Sequence, residues 1–239
     1  MSDVITLQNV NKFYDKQTVL DQVSLTVKQG EIVGLIGPSG SGKTTLIKIA
    51  LGMEISDSGT AEVFETKMPN RELLGQLGYM AQSDALYEQL TAKENLRFYA
   101  VMKGINKKEI PAEIERVTKV VDLSDDLSKF VAGYSGGMKR RLSLAISFLG
   151  NPPLMILDEP TVGIDPALRR QIWAELKARR DAGQTILITT HVMDEAELVD
   201  RVALLLGGKL IANDSPKALE EQYGVPTIEE VFLTAEGAI

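Results

Sequence analysis

The feature that most constrains the fold is a nearly continuous apolar segment, Glu31–Gly37, that leads directly into a glycine-rich turn. The turn covers residues 37–44 and has the sequence GPSGSGKT. A helical pattern follows over Thr44–Leu51. Strands and helices also alternate from Pro153 onward, and this alternation predicts an α/β protein with a parallel sheet and right-handed crossovers.

The turn matches the P-loop pattern G-x-x-x-x-G-K-[ST]. Glycines let backbone N–H groups turn inward around phosphate oxygens, and the N-terminus of the following helix adds its dipole. We expect Lys43 to reach the β- and γ-phosphates and the Thr44 hydroxyl to ligate Mg²⁺. The alternative is a flexible Gly/Ser turn, which the flanking strand and helix disfavour. The predicted ATP-binding residues of this segment are Gly37, Pro38, Ser39, Gly40, Ser41, Gly42, Lys43, Thr44 and Thr45.

A second buried strand, Leu154–Leu157, ends in two carboxylates, Asp158 and Glu159. The ends of the strands are where a doubly wound sheet gathers its ligands. We expect Asp158 to support the Mg²⁺ shell and Glu159 to polarise the attacking water as a general base. The competing interpretation is that the two carboxylates simply begin an acidic loop. The P-loop earlier in the chain disfavours this interpretation.

The rest of the chain divides by pattern. Before residue 83 the patterns are mostly those of strands, and from Pro153 onward strands and helices alternate. Residues 83–150 show no strand pattern and predict a helical insertion. Thr91 and Glu94 fit a capping box at a helix start. Asp165 and Pro166 supply an N-cap and an N1 proline for another helix. A helix over Gly136–Leu149 carries a basic patch, residues 139–141, in its first turn.

The composition excludes several classes of protein. The 239 residues carry a formal charge of −7 and contain no cysteine and one histidine, which argues against disulfide scaffolds and Cys- or His-rich metal centres. The acidic balance argues against nucleic acid as the main partner. No segment approaches the roughly 20 apolar residues that cross a bilayer, and the N-terminus lacks a signal-peptide pattern. We therefore expect a cytoplasmic chain.

Residues 134–138, Tyr-Ser-Gly-Gly-Met, stand at a helix start. There Ser135 and the N–H groups of Gly136 and Gly137 form an anion site without a lysine. Together with the P-loop and the carboxylate pair, in this order, the segment resembles the LSGGQ signature of the ATP-binding subunit of ABC transporters. The resemblance covers about residues 3 to 235. Tyr134 and Met138 depart from the family's leucine and glutamine, which puts the contacts of the glutamine side chain in doubt.

The resemblance implies roles for four further residues. Tyr14 resembles the aromatic that stacks on adenine, with Phe13 as a substitute if the register slips by one. Gln82 resembles the glutamine that contacts Mg²⁺ and water. Asp165 lies in a segment that resembles the D-loop, which works across a dimer interface, and its role as an N-cap is compatible with this. His191 occupies the position of the switch histidine, which hydrogen-bonds the γ-phosphate.

The resemblance also implies a domain organisation. The expected fold is a P-loop NTPase (RecA-like) α/β core with an antiparallel β subdomain and an α-helical insertion, all within one ABC ATPase domain over residues 1–239. The core covers about 1–82 and 151–214, and the helical subdomain with the signature covers about 83–150. Residues 215–239 form a helical C-terminal tail.

The implied function is ATP hydrolysis that powers a separately encoded membrane permease. Two ATPase subunits, as a homodimer or heterodimer, would enclose two ATP molecules on the inner face of the cell membrane. Residues 83–97 would dock a permease coupling helix. Residues 134–142 and 227–233 resemble the drug- and lipid-exporter branch. The alternatives are a soluble ABC-type ATPase acting on nucleic acid or the ribosome, and a nucleotide-controlled binding subunit without transport.

Overall fold

A computed structural model describes residues 2–15, 17–83 and 85–237. Met1, Lys16, Asp84, Ala238 and Ile239 lie outside the described residues, and so do the corresponding positions of the predicted domain, docking segment and tail. The chain divides into two units. Unit 1 comprises Met1–Glu72 and Thr185–Ile239, and unit 2 comprises Leu73–Gln184.

Unit 1 contains an antiparallel sheet in the order β2-β1-β4-β5. Its strands are β1 (Asp3–Tyr14), β2 (Gln17–Lys28), β4 (Ser58–Val63) and β5 (Thr66–Lys67). Leu7 pairs with Leu25 and Val10 with Val23, and all four side chains are buried. The alternation of apolar and polar residues in these strands therefore places one face of the sheet against the core.

A second set of strands in unit 1 carries the P-loop. Strand β3 (Ile32–Ile36) is buried throughout and runs parallel to both β8 (Thr185–Thr190) and β9 (Arg201–Leu206). Strand β10 (Lys209–Asp214) pairs antiparallel with β9. The helices of this unit are α1 (Lys43–Ala50), α6 (Met193–Ala196), α7 (Pro216–Tyr223) and α8 (Ile228–Glu236).

Unit 2 combines a parallel strand pair with helices. Strand β6 (Leu77–Met80) pairs in parallel with β7 (Leu154–Asp158). The helices are α2 (Ala92–Met102), α3 (Ile110–Val120), α4 (Gly136–Phe148) and α5 (Pro166–Asp181). Single 3₁₀ turns span Ser124–Asp126 and Val131–Gly133, and another, Arg71–Gln76, crosses the division between the units.

Most elements lie where the sequence patterns predict them. The capping box at Thr91 is confirmed, since its hydroxyl accepts from the Glu94 N–H and the Glu94 carboxylate accepts from the Thr91 N–H. Strand β5 was not predicted, because two residues are too few for a periodic pattern. The predicted bounds of the core, helical subdomain and tail stay predictions. Among the described residues, no helix combines the length and apolar character that crossing a bilayer requires.

Three cationic side chains gather at the C-terminus of α4, where helix carbonyls lack partners within the helix. The Lys103 ammonium donates to the Leu149 carbonyl at 3.0 Å, and the Arg116 guanidinium donates to the Phe148 carbonyl at 2.9 Å. The Arg179 guanidinium lies 4.3 Å from the centre of the Phe148 ring. These positive charges also oppose the negative end of the helix dipole. Their hydrogen bonds and ring contact hold the end of α4 in place.

We predict that Lys103 makes stability depend on pH. Burial, aided by the positive charge of Arg179, lowers the pKa of Lys103 from 10.5 to about 8. Between these values the unfolded chain binds more protons than the folded one, so the free energy of unfolding rises with pH. Between pH 8 and pH 10 the free energy of unfolding should therefore rise by about 2 kcal/mol less in Lys103→Met than in the wild type.

Urea unfolding of the wild type and Lys103→Met at both pH values measures the difference. Lys107→Met, a change at an exposed lysine four residues further on, is the matched control. An equal pH dependence in the wild type and Lys103→Met would contradict the prediction.

Candidate functional site

The P-loop joins the end of β3 to the start of α1 in unit 1. A Cβ atom at Gly37 would lie 2.1 Å from the Leu205 carbonyl oxygen and 2.7 Å from Ser41 Oγ, so the loop can close only around glycine. Gly42 is the N-cap of α1 with φ 104°, and as a glycine it has no side chain to cap the helix start. The first-turn N–H groups of α1 are therefore not capped by the N-cap side chain, which is the arrangement that binds anions.

Two polar side chains of the P-loop face its own backbone. The Lys43 ammonium donates to the carbonyls of Gly37 at 2.7 Å and Pro38 at 2.9 Å. Ser41 Oγ is buried and finds no hydrogen-bond partner among the residues that the structure describes. A buried hydroxyl without a partner costs about 1–3 kcal/mol. A lysine and an unsatisfied hydroxyl within one loop favour binding of an anionic ligand such as a phosphate chain.

His191 lies at the same edge of the parallel strands as the P-loop. Thr190, the last residue of β8, pairs in register with Ile36, the last residue of β3, so His191 and Gly37 follow neighbouring strand ends. The Thr190 hydroxyl donates to the buried Glu195 carboxylate at 2.7 Å and accepts from the Val192 N–H at 3.0 Å. These bonds hold the backbone on both sides of His191, whose side chain is exposed.

Tyr14 and Phe13 end β1 in unit 1. Their side chains are 44% and 46% exposed, so both are accessible to a ligand. The Lys12 ammonium lies 5.1 Å from the centre of the Tyr14 ring and forms a 2.8 Å ion pair with Glu54. Exposure does not distinguish between the two aromatics, and adenine stacking on Tyr14 stays a prediction.

Asp158, Glu159 and Gln82 follow neighbouring strand ends in unit 2. Met80 pairs in register with Leu157, which brings the segments that carry Gln82 and Glu159 to the same edge. Asp158 is 2% exposed. Burial, together with the negative charge of Asp158, raises the pKa of Tyr79 in β6. Glu159 adopts φ 52°, a left-handed conformation that non-glycine residues seldom occupy.

The buried position of Arg140 shows that the predicted basic patch over residues 139–141 is wrong. Its side chain is buried, and its guanidinium donates to backbone carbonyls at the ends of both β6 and β7. Lys139 instead pairs with Glu88, and Arg141 donates to the Asp122 carbonyl at 2.6 Å. The three cations therefore point to three different places, because successive helix residues are about 100° apart.

The signature segment forms the N-terminus of α4. Ser135 is the N-cap, and its hydroxyl accepts from the Met138 N–H at 3.2 Å. Ser135 and Gly136 are exposed, so the helix N-terminus is open to an anion from outside the chain. Tyr134 is buried, and its hydroxyl donates to the Asp126 carbonyl at 2.9 Å. Burial raises the pKa of Tyr134 to about 12, and the ring fills an interior position.

The segment around Asp165 lies next to the signature. A Cβ atom at Gly137 would approach the Gly163 carbonyl to 3.2 Å, so the two loops are neighbours in unit 2. Asp165 is exposed, and its carboxylate accepts from the N–H groups of Ala167 at 3.1 Å and Leu168 at 3.0 Å. Its predicted role as the N-cap of α5 is confirmed.

Comparison with known proteins identifies the family. Residues 20–162 match the family described as ABC transporter. Nod factor export ATP-binding protein I of Sinorhizobium fredii is 41% identical over 233 residues, which cover 95% of this chain and 68% of that protein. The chain belongs to the ABC transporter family.

Two other relatives are considerably longer than this ABC chain. The probable multidrug ABC transporter ATP-binding protein YbhF of Escherichia coli is 37% identical over 96% of the chain and 41% of its own length. ABC transporter G family member 20 of Dictyostelium discoideum is 42% identical over 96% of the chain and 32% of its own length. The chain thus spans about two fifths and one third of these two relatives.

Solved structures identify the fold. A structure described as the ATP-binding subunit of an ABC transporter aligns with a TM-score of 0.90 at 29% identity, over 97% of this chain and 98% of that one. A dimeric structure of MJ0796, a bacterial ABC transporter cassette, aligns with a TM-score of 0.82 at 26% identity, over 88% and 98%. The chain has the ATP-binding cassette fold, and the predicted P-loop NTPase fold class is confirmed.

In this ABC domain, replacing Asp165 tests its capping role. Asp165→Ala leaves two N–H groups of α5 without a cap, so the free energy of unfolding should fall by about 1 kcal/mol. Asp165→Ser keeps a side-chain acceptor and should retain most of the stability. Denaturant titration of both variants measures the effect. A loss in Asp165→Ser as large as that in Asp165→Ala would contradict the assignment.

Proposed function

We propose that the chain binds and hydrolyses ATP and thereby powers a membrane transporter. The observation that carries the proposal is the P-loop, in which a steric requirement for glycine, a glycine N-cap at the start of α1 and Lys43 occur together. The family and the relatives' names support transport over action on nucleic acid or the ribosome. A solved relative described as a post-hydrolysis state bound to ADP and Pi supports hydrolysis over nucleotide binding alone.

Each site residue has a defined part in this proposal. The N–H groups of residues 40–45 and the Lys43 ammonium hold the phosphate chain and oppose its negative charge. Glu159 accepts a proton from the water that attacks the γ-phosphate. His191 donates a hydrogen bond to the γ-phosphate, and Tyr14 stacks on adenine. Gln82 positions the attacking water.

Mg²⁺ fits the donors that these segments offer. Thr44, Asp158 and Gln82 supply a hydroxyl, a carboxylate and an amide oxygen, the hard ligands that Mg²⁺ prefers. Among the described residues, no three His, Cys, Asp or Glu side chains are grouped to hold a metal alone. This agrees with an ion held by few protein ligands together with phosphate oxygens and water. When bound, Mg²⁺ would neutralise charge that develops on the phosphates.

We further propose that two such domains form a sandwich, with the signature residues Ser135, Gly136 and Gly137 facing the partner's nucleotide. The exposed N-terminus of α4 and the dimeric relative support this arrangement. In a symmetric pair the interface would be isologous. Asp165 would contact the partner, and Asp165→Ser separates this role from capping because it changes the side chain while keeping a capping oxygen.

The proposed partner is an integral-membrane permease, which places the chain at the cytoplasmic face of the membrane. Residues 83–97 would dock it, apart from Asp84, which lies outside the described residues. Tyr87 is 48% exposed, and its ring packs edge-on against Phe98 at 4.9 Å between centroids. The exposed aromatic surface suits a partner helix. Relatives named for Nod factor and multidrug transport favour an exporter.

Lys43→Ala tests the P-loop assignment. The change removes the cation that opposes the phosphate charge, so ATP turnover should fall by roughly a hundredfold or more. Phosphate release at saturating Mg²⁺ and ATP measures turnover. Lys48→Ala, a change at an exposed lysine of the same helix, is the matched control and should keep wild-type turnover. Undiminished turnover in Lys43→Ala would exclude the assignment.

Glu159→Gln tests hydrolysis and the sandwich together. The amide cannot accept the proton of the attacking water, so turnover should fall by roughly 10²–10⁴-fold while ATP still binds. The stalled chain should elute as a dimer in gel filtration with Mg²⁺ and ATP. Adding Ser135→Arg to this variant places a bulky cation at the signature and should restore the monomer. A dimer that persists in the double variant would contradict the role of Ser135.

A further inference from the structure

The Arg140 side chain joins α4 to the ends of two strands in unit 2. Arg140 Nη1 donates to the carbonyls of Ala81 and Gln82, each at 2.9 Å. Arg140 Nη2 donates to the Asp158 carbonyl and, at 2.7 Å, to the Glu159 carbonyl. The planar guanidinium directs N–H groups from separate nitrogens to the two loops at once.

The position of Arg140 depends on the close packing of α4 against β6. A Cβ atom at Gly78 would lie 2.5 Å from the Ser147 carbonyl, so a larger residue would push the helix away. Arg140 lies two turns before Ser147 on the same face of α4. The guanidinium therefore reaches the strand ends because the helix backbone lies directly on β6.

The contacted carbonyls belong to residues whose side chains serve hydrolysis in the proposed function. Glu159 has the left-handed φ of 52°, and such a backbone persists only where its surroundings hold it. Two nitrogens of Arg140 donate to the Glu159 carbonyl, Nε at 3.2 Å and Nη2 at 2.7 Å. Charge-assisted bonds of this kind are about twice as strong as neutral ones.

We propose that Arg140 is a positioning residue that couples the signature to the hydrolytic residues of the same chain. Arg140 lies one turn beyond Gly136, so it moves with the helix N-terminus that faces the partner's nucleotide. Its guanidinium holds the backbone of Gln82 and Glu159, which serve the chain's own nucleotide. Engagement of one ATP site thereby adjusts the geometry of the other. This inference rests on the proposed function.

Arg140→Lys in the full-length chain is the test. A lysine keeps the charge, but its single ammonium nitrogen replaces the three nitrogens that donate to the two loops, so it cannot reproduce the fork geometry. We expect kcat per folded protein to fall by roughly tenfold or more, since small displacements of catalytic groups are costly. KM for ATP should change by less than about threefold, because Arg140 is buried and is not among the proposed ATP-binding residues. In the Glu159→Gln background, Arg140→Lys should still allow the ATP-dependent dimer.

Arg141→Lys is the matched control. Arg141 is the next residue of α4 and also donates to backbone carbonyls, those of Val121 at 3.2 Å and Asp122 at 2.6 Å, but these lie away from the proposed site residues. Its kcat should stay within about twofold of the wild type, since the change leaves Gln82 and Glu159 untouched. Circular dichroism melting of each variant reports the folded fraction.

Each outcome decides the proposal. A kcat within twofold of the wild type in folded Arg140→Lys, or an equal fall in Arg141→Lys, overturns it. If Arg140→Lys does not fold, Arg140→Gln, which is uncharged and can bond one loop only, is measured in the same way. Unfolding of both variants assigns Arg140 to stability and also overturns it. If the wild type has no ATPase activity, the proposed function and this inference are both overturned. If the wild type is active and Arg140→Lys has the same kcat, only the inference is overturned.

Discussion

The structure depends on how backbone polar groups are satisfied where parallel strands end. In the strands these groups pair along the ladder, but at the strand ends they need other partners. At the end of β3 the chain turns into the P-loop, and the N-cap of α1 is Gly42, which has no side chain to cap the first N–H groups. At the ends of β6 and β7 the leftover groups are carbonyls, and Arg140 donates to them. The end of β3 thus offers donors to an anion, whereas Arg140 occupies the carbonyls at the ends of β6 and β7.

Helix α4 is held in place along its whole length. Ser135 caps its start, and Arg140 attaches its second turn to the strand ends. Cations that include Lys103 donate hydrogen bonds to its C-terminal carbonyls. A helix held in this way transmits displacement rather than absorbing it, because packed interiors deform little. The signature loop is therefore an exposed surface on a rigid helix. A partner that contacts this loop can displace the whole helix and the residues bonded to it.

The sequence predicted elements whose signals are local. The P-loop, the capping box at Thr91 and the N-cap at Asp165 each depend on residues within a few positions, and the structure has all three elements there. Tyr134 was a departure from the family pattern, and the structure accommodates it because its ring is buried and its hydroxyl reaches the Asp126 carbonyl. The nucleotide-site roles of the individual residues stay predictions that the variants above test.

What the sequence alone determined is the fold class and the order of the motifs, since strand, turn and helix patterns are set by neighbouring residues. What only the tertiary structure decided is where the side chains of residues 139–141 point, since the sequence shows them as one basic patch. The helical period places Arg140 on the face of α4 that also carries Leu144 and Ser147, and this face is buried. Whether a buried cation finds partners depends on carbonyls that lie 18 to 59 residues away in the chain, and no local pattern encodes that distance.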